Sequence, residues 1–502
     1  MTNEPIFNVA TLDHRKKLAT AQAAIETRLL PAAGITIAKV LSYSADVNAA
    51  VSDVFTGEAR YGGRVTFRVL FLDGNGQTHN LESAAEFSDK ILSDALEGGR
   101  PDILSRVLDT DIVSVSADEI KLAAVIETDL LDNETLRFKY LSTAGEDVFT
   151  REDKVEVNKL SASAAGGLSL EAEVKVDADR ILLAESKGVI QKVDAGNGFI
   201  AVKGEVVTNI LTDKGGELFS YRAVTAFAHE ISAEGCESSH FASASVAVKR
   251  SAAALLTDGE DSAVGLEFEL EFSSAAYGTE EITLAADAFS VKNELEITAS
   301  NITVVKNKNM RAVTERIEGA VTLSEQMPAA DKILASVSER LNISNSYIQD
   351  EKLVLEGTVT ASIIYFSAET EGKNSVDVEL PFSIVTMESM TGTVIAAYGH
   401  VYELSAKLRK ANEIDIRAEI TVSVLESETA VIRAITQLEV GEESVVPGSA
   451  ISLHIARKDE SLWDIAKAMR TTPELILLQN PALTLPLSGG ERVLVYRHLK
   501  RV

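Results

Sequence analysis

GTVTASIIY, residues Gly357 to Tyr365, places Val359, Ala361, Ile363 and Tyr365 on alternate positions. A period-2 apolar run of this kind reads as a half-buried strand. Two further runs open on glycine in the same way: GRVTFRVLF from Gly63 and GEVVTNILT from Gly204. The three glycines lie 141 and 153 residues apart, the length of one domain. Neighbouring features keep the same register. Some 23 or 24 residues before each glycine stands an apolar pair, Val40-Leu41, Ile181-Leu182 and Ile333-Leu334. About 24 residues after it stands a phenylalanine, Phe87, Phe227 or Phe382, expected to be a core aromatic of an equivalent strand. Between glycine and phenylalanine comes a turn-rich stretch: DGNGQ at 73–77, DKGGE at 213–217 and ETEGKN at 369–374. Gly and Asn there are expected to supply the positive φ of hairpin turns.

Asp147-Val148-Phe149-Thr150 follows Gly63 at nearly the distance at which Asp287-Ala288-Phe289-Ser290 follows Gly204, and reads as the same segment of two copies. The third copy lacks it and runs instead into VGEESVVPGSA, 440–450, with the composition of a linker. The expected repeats cover 20–155, 165–305 and 318–445. The strand ending in Tyr365, the pair Pro381-Phe382 and the segment Asp287 to Ser290 resemble the SPOCS domain of spore-forming Firmicutes. The first copy has Phe71 in place of the tyrosine and no proline before Phe87, and the second has Thr212.

The last 50 residues have another grammar. DESLWDIAKAMRTTPELILLQNP, Asp459 to Pro481, carries the only tryptophan, Trp463. Ser461 and Asp464 have the spacing of a capping box, so a helix is expected to start there. Leu462, Ile465, Ala466 and Met469 form its apolar stripe. Thr472-Pro473 starts a second helix with Leu475, Ile476 and Leu478 on its apolar face, stopped by Asn480-Pro481. Short strands at Ile451 to Ile455 and Arg492 to Tyr496 complete a βααβ order. Asp459, Leu462, Trp463, Ile465, Ala466, Asn480, Pro481, Pro486, Leu487 and Gly490 are similar to a LysM domain, here over 450–498. The predicted architecture is therefore mainly β: three tandem β-rich SPOCS-like domains and a small βααβ LysM-like domain. In LysM modules N-acetylglucosamine units lie between the first strand–helix loop and the second helix–strand loop. The resemblance puts that groove at Asp459, Glu460, Ser461 and Leu462 on one wall and Asn480, Pro481, Ala482, Leu483, Thr484 and Leu485 on the other. The first wall lacks the family's glycine and gains Glu460, so saccharide binding there is expected to be weak, and a groove of this kind is equally a protein-binding surface. Leu483 and Thr484 lie outside the helix stripe, so lysines there are expected to spare the fold. Trp463 is expected to be structural, partly buried against the sheet.

The formal charge of −28 argues against a nucleic-acid partner, since phosphate binding needs clustered Lys and Arg. It is uneven: residues 451–502 carry eight Lys and Arg against five Asp and Glu, or +3, leaving −31 on the rest. One cysteine, Cys236, excludes an internal disulfide and suits a reducing compartment. No signal-peptide pattern opens the chain and no run of 18 uncharged apolar residues occurs, so neither export nor a membrane span is expected. Catalytic patterns are missing too. Cys236 and His240 in CESSH have no further ligand nearby, and His14, His79, His229, His400, His454 and His498 stand singly. DGNGQTHNLE at 73–82 has Thr78 where a calcium loop needs glycine and Ala84 where it needs glutamate. Gly74 and Gly76 do not open a dinucleotide loop, and no P-loop is present.

Three SPOCS-like repeats followed by one LysM resemble the clostridial spore-coat morphogenetic proteins that bind the stage IV sporulation ATPase through their LysM. The resemblance implies a non-enzymatic scaffold or adaptor for spore-envelope assembly, in the mother-cell cytoplasm at the forespore surface, with no metal and no cofactor. The alternative is a wall-associated protein whose LysM binds peptidoglycan or another N-acetylglucosamine polymer. A third class, an enzyme with residues dispersed over the repeats, requires a tight titratable cluster that the sequence does not display.

Overall fold

The computed structural model describes residues 4–96, 101–258, 261–390, 392–443 and 451–496. Six strands form the first unit: β1 Ile6–Leu29, β2 Lys39–Phe55, β3 Glu58–Leu72, β4 Thr78–Leu92, β5 Asp102–Val115 and β6 Ile120–Thr143. The second has β7 Val148–Val176, β8 Arg180–Gly196, β9 Phe199–Lys214, β10 Glu217–Ser232, β11 Phe241–Asp258 and β12 Asp261–Ser290. The third has β13 Asn293–Thr322, β14 Lys332–Gln349, β15 Lys352–Ser367, β16 Gly372–Ser389, β17 Thr393–Lys410 and β18 Glu413–Glu443. Each unit folds its strands into two three-stranded antiparallel sheets. One is the meander β2-β3-β4, β8-β9-β10 or β14-β15-β16; the other pairs first, last and fifth strands, β1-β6-β5, β7-β12-β11 or β13-β18-β17.

The motif glycines sit in the central strand of each meander, and their phenylalanines are their cross-strand partners: Gly63↔Phe87, Gly204↔Phe227 and Gly357↔Phe382. The reason for glycine is space. A Cβ at Gly357 would come 2.2 Å from the Asn342 carbonyl oxygen and 2.8 Å from Phe382 Cζ, and at Gly204 2.1 Å from the Val189 oxygen and 2.6 Å from Phe227 Cζ. At Gly63 the clash is with backbone alone, the Asn48 carbonyl oxygen at 2.0 Å and Ala49 Cα at 2.6 Å. The apolar pairs also have a structural meaning. Leu41, Leu182 and Leu334 are each the extra residue of a β-bulge at the start of β2, β8 and β14. The bulge turns the leucine out of the unit's own core. All three meet in a central cluster with Leu70, Leu183, Leu211 and Ile364, drawn from every unit.

The two sheets of each unit close over a private core: around Phe67 and Ile126 in the first, Phe227 and Phe272 in the second, Ile363 and Val422 in the third. The first and last strands outrun their sandwiches. Bulges at Leu18, between Ala276 and Tyr277, and between Val305 and Asn307 mark where they leave. Beyond these points the ribbons β1–β6, β7–β12 and β13–β18 bury their apolar faces in one another, as a stem. One layer holds Leu12, Phe138, Val157, Leu284, Val304 and Ile432; the next holds Leu141, Ala285, Ala288, Ile435 and Leu438. Three sandwiches thus share a head core and a stem. Polar bridges between units surround the head core: Ser44 Oγ donates to Glu185 Oε1 (3.0 Å), Lys187 Nζ to the Glu339 carbonyl (2.7 Å), and Arg340 to Thr110 Oγ1 (3.0 Å).

The strand-rich class expected from the sequence is observed; several details differ. The units start at β1, β7 and β13 and end at β6, β12 and β18, so the limits at 20, 155, 165, 305 and 318 fall inside long strands, while 445 lies outside the described residues. The glycine and phenylalanine marks lie in the meanders and carry no information on stem strands. Asp147–Thr150 and Asp287–Ser290 are not equivalent segments: they pair with each other in one ladder, Phe149 opposite Phe289 and Thr150 opposite Ala288. In the third hairpin Glu371, not a glycine, takes the positive φ, at 47°. Residues 440–443 of the expected linker belong to β18, and 444–450 lie outside the described residues.

Two outcomes test this frame. Gly357→Ala should lower stability by about 1–3 kcal/mol in chemical denaturation, since the added methyl meets backbone on one side and a ring on the other. Burial pushes the Glu339 carboxyl up to about 7, against the pull of Lys187. Its folded value exceeds that of an unfolded glutamate, so stability is lost as pH rises from about 4.3 through 7. Glu339→Gln should remove this loss, and the melting temperatures of variant and wild type should diverge as pH is raised through that window.

Candidate functional site

The tail consists of β19 Ile451–Ile455, α1 Leu462–Ala468, α2 Pro473–Gln479 and β20 Arg492–Tyr496. The strands pair antiparallel from Ile451↔Tyr496 to Ile455↔Arg492. Ser461 caps α1 with its hydroxyl on the Asp464 amide, and Asp464 returns a carboxylate to the Ser461 amide, the full capping box. Thr472 caps α2, with Pro473 in its first turn. Ile465, Ala466, Met469, Ile476, Leu487, Val493 and Val495 form the tail's core. Leu475 and Leu478, expected on the buried face of α2, are 38% and 78% exposed; in a helix of seven residues only Ile476 reaches the core.

The ten residues expected to wall a groove lie in two loops, one before α1 and one after α2. In the first loop Asp459 takes a left-handed φ of 63°. Glu460 turns back on its own loop: Oε2 accepts from the Arg457 amide (2.7 Å) and lies 2.9 Å from His454 Nε2. Those partners hold its carboxyl below the usual range. Ser461 is committed to the cap, and Leu462 is half-buried against the core. In the second loop Asn480 is a clamp: its Nδ2 donates to the Ile476 and Leu494 carbonyls (2.8 and 2.7 Å), and its Oδ1 accepts from the Leu494 amide (2.9 Å). Pro481, Ala482, Thr484 and Leu485 are exposed. Leu483 packs half-buried on the tail's core, so a lysine there would disturb the fold it was expected to spare. Asn480 to Leu483 border an open depression of about 290 Å³, closed by Glu491 and Arg492 rather than by the first loop. Glu491 is spent on the neighbouring turn: it accepts from the Ser488 hydroxyl and amide and the Gly489 amide, which pull its carboxyl down to about 2.

The outward side of α1 meets the second unit instead. Trp463 is half-buried against the core cluster, which Phe289 of β12 joins together with Val493 and Val495 of β20. Its ring stands edge-on to Phe289, centroids 4.8 Å apart, and Phe289 stacks on Phe149 across the β7–β12 ladder at 5.5 Å. Asp287 receives two donors from one helix face, Trp463 Nε1 at 2.8 Å and Lys467 Nζ at 2.6 Å. Arg470 pairs with Glu294 at the start of β13. A register shift between Ala285 and Asp287 in β12 precedes this carboxylate. Asp287 and Phe289 stand out in the sequence as part of a motif, but nothing in their spacing says that they hold the tail. Burial pushes the Asp287 carboxyl up, the Lys467 and Trp463 hydrogen bonds pull it down, and the balance lies below its ordinary value.

Elsewhere the candidates for chemistry are occupied by turn geometry. His240 Nδ1 accepts from the Glu237 amide (3.1 Å), and Asp73 Oδ1 accepts from the Asn75 and Gln77 amides. Among the described residues no group of three or more His, Cys, Asp or Glu could hold a metal ion, and no helix is long and apolar enough to cross a membrane. A second concavity, about 330 Å³ between the second and third units, is bordered by Glu185, Arg222, Glu339 and Glu403. Comparison with known protein families, curated proteins and solved structures gives no match to this chain.

The seat of the tail should be acid-sensitive. The Asp287 value is depressed on folding, so its contribution is present above about pH 4 and lost as pH falls through the lower folded value. Acrylamide quenching of Trp463 should therefore rise on acidification in the wild type. In Asp287→Asn it should start higher, and the carboxylate's part of the transition should vanish.

Proposed function

We propose that the chain is a non-enzymatic scaffold or adaptor for spore-envelope assembly, made of three SPOCS-like units and a LysM-like partner-binding tail. The observation that supports this reading best is the contrast between its parts. Three units of one design merge their apolar surfaces in a head core and a stem, while the single unit of different design follows the last stem strand. A body of this kind has the form of a support, and the appended module the form of a recognition element. The partner proposed is a spore morphogenetic protein like the stage IV sporulation ATPase, met in the mother-cell cytoplasm at the forespore surface.

Glycan binding is the weaker reading. A sugar groove needs both loops, and Glu460 is committed to Arg457 and His454 while the depression is formed without Asp459 to Leu462. The test uses the full chain, a chain ending at Glu443, and a Thr484→Lys, Leu485→Lys variant that alters only exposed second-loop positions. The full chain should retain the stage IV ATPase-type protein from sporulating cells, and the shortened chain should lose it. If the full chain retains no such protein but pellets with peptidoglycan, and the lysine variant loses the pelleting, the wall-glycan reading replaces the scaffold.

A further inference from the structure

The contact between α1 and the second unit is more specific than casual packing of a tail on a body. One carboxylate, Asp287, takes two donors from side chains four residues apart, the spacing that puts Trp463 and Lys467 on one helix face. Two residues along the same strand, Phe289 meets the Trp463 ring, and Glu294 adds a second ion pair to Arg470 in the turn that follows the helix. The body thus offers an extended segment with the order acid, spacer, aromatic, and the tail offers an indole and two cations that match it. Phe289 is continuous with the tail's own core through Leu462 and Trp463.

The polar half of this contact is exposed enough to break. Lys467 is 42% exposed, and the Glu294 side chain 64%, so these pairs are solvent-screened and individually weak. The tail is tied to Glu443, whose partner in the ladder is Asn293, three residues from Ser290. The site therefore lies beside the end of β18, and because body and tail belong to one chain the tail stands near it at high effective concentration. Weak contacts with a high effective concentration favour a closed state that a competing ligand can open.

We infer that the surface formed by Trp463 and Lys467 on α1 and by Arg470 in the turn after it is a recognition surface for acidic-aromatic segments of the form Asp-x-Phe, and that the second unit occupies it in cis as a latch. This rests on the reading of the tail as a recognition module. A protein that takes the face must present a carboxylate and an aromatic ring two residues apart on an extended strand and must displace Asp287 and Phe289. The other faces of the tail stay accessible in either state.

The test needs no outside protein, so its failure is distinct from failure of the scaffold reading. Trp463 is the only tryptophan of the full chain, and its emission reports the face. Asp287→Lys and Lys467→Asp should each raise acrylamide quenching of Trp463, and the double variant, with the charges exchanged, should restore protection. Restoration separates an opened latch from an unfolded variant. The probe ligand is a synthetic peptide of residues 283–291, TLAADAFSV, with a TLAANAFSV control. The peptide should protect Trp463 in Asp287→Ala at a concentration about tenfold or more below that needed in the wild type, the factor by which closed molecules outnumber open ones. The control should not protect. Equal quenching in wild type and both single variants overturns the latch. Equal peptide affinity for wild type and Asp287→Ala overturns the competition, and no protection of Asp287→Ala at any concentration overturns the recognition surface.

Discussion

A two-stranded ribbon cannot bury its own apolar face, and every unit of this chain projects one beyond its sandwich. The long strands of 24 to 31 residues are therefore the governing constraint. Leu12, Leu284 and Ile432 each come from a different unit and would face water in an isolated one. Burial in the stem is worth about 25 cal/mol per Å² of apolar surface, and only the three ribbons together collect it. The head repeats the logic on a smaller scale, because a bulged leucine removed from its own core is useful only when two others meet it.

Electrostatics acts in the opposite sense. The repeats are strongly acidic, and the places where units meet gather Glu185, Glu339 and Asp46 near Lys187, Arg340 and Arg68. The uneven charge of the chain finds a local use at the tail, where Lys467 and Arg470 face Asp287 and Glu294. These pairs fix which surfaces touch, while the apolar layers supply most of the stability.

Much of the head was legible in the sequence, because space around a central strand dictates glycine and alternation dictates the buried face. Gly63, Gly204 and Gly357 with their phenylalanines mark equivalent points of three sheets, and the apolar pairs mark equivalent bulges. The stem was not legible as such. Its strands alternate like any others, and period-2 patterning does not tell which partner covers the apolar face. The caps of α1 and α2 were readable from Ser461 and Thr472 because capping is local. The surroundings of Trp463 and Leu483 were not, since they depend on a strand 176 residues away and on a loop folded back on its own core. The match between Asp147–Thr150 and Asp287–Ser290 misled for a related reason: similar residues can be partners across a ladder as well as copies of one position.

The stem imposes an order on synthesis. Its inner layer contains Phe7 from the first strand and Leu438 from the last of the eighteen strands, so it cannot close until nearly the whole body has been translated. Each sandwich can collapse as it emerges, since its private core draws on one unit alone. The ribbons β1–β6 and β7–β12 must then wait with apolar faces and strand edges uncovered, a state that invites pairing with neighbouring nascent chains. A ribosome that stalls before residue 413, where β18 begins, would release a molecule with two finished sandwiches, a third lacking the central strand of one sheet, and an open stem. Truncation within the third unit is therefore a route to aggregation rather than to a shorter working protein.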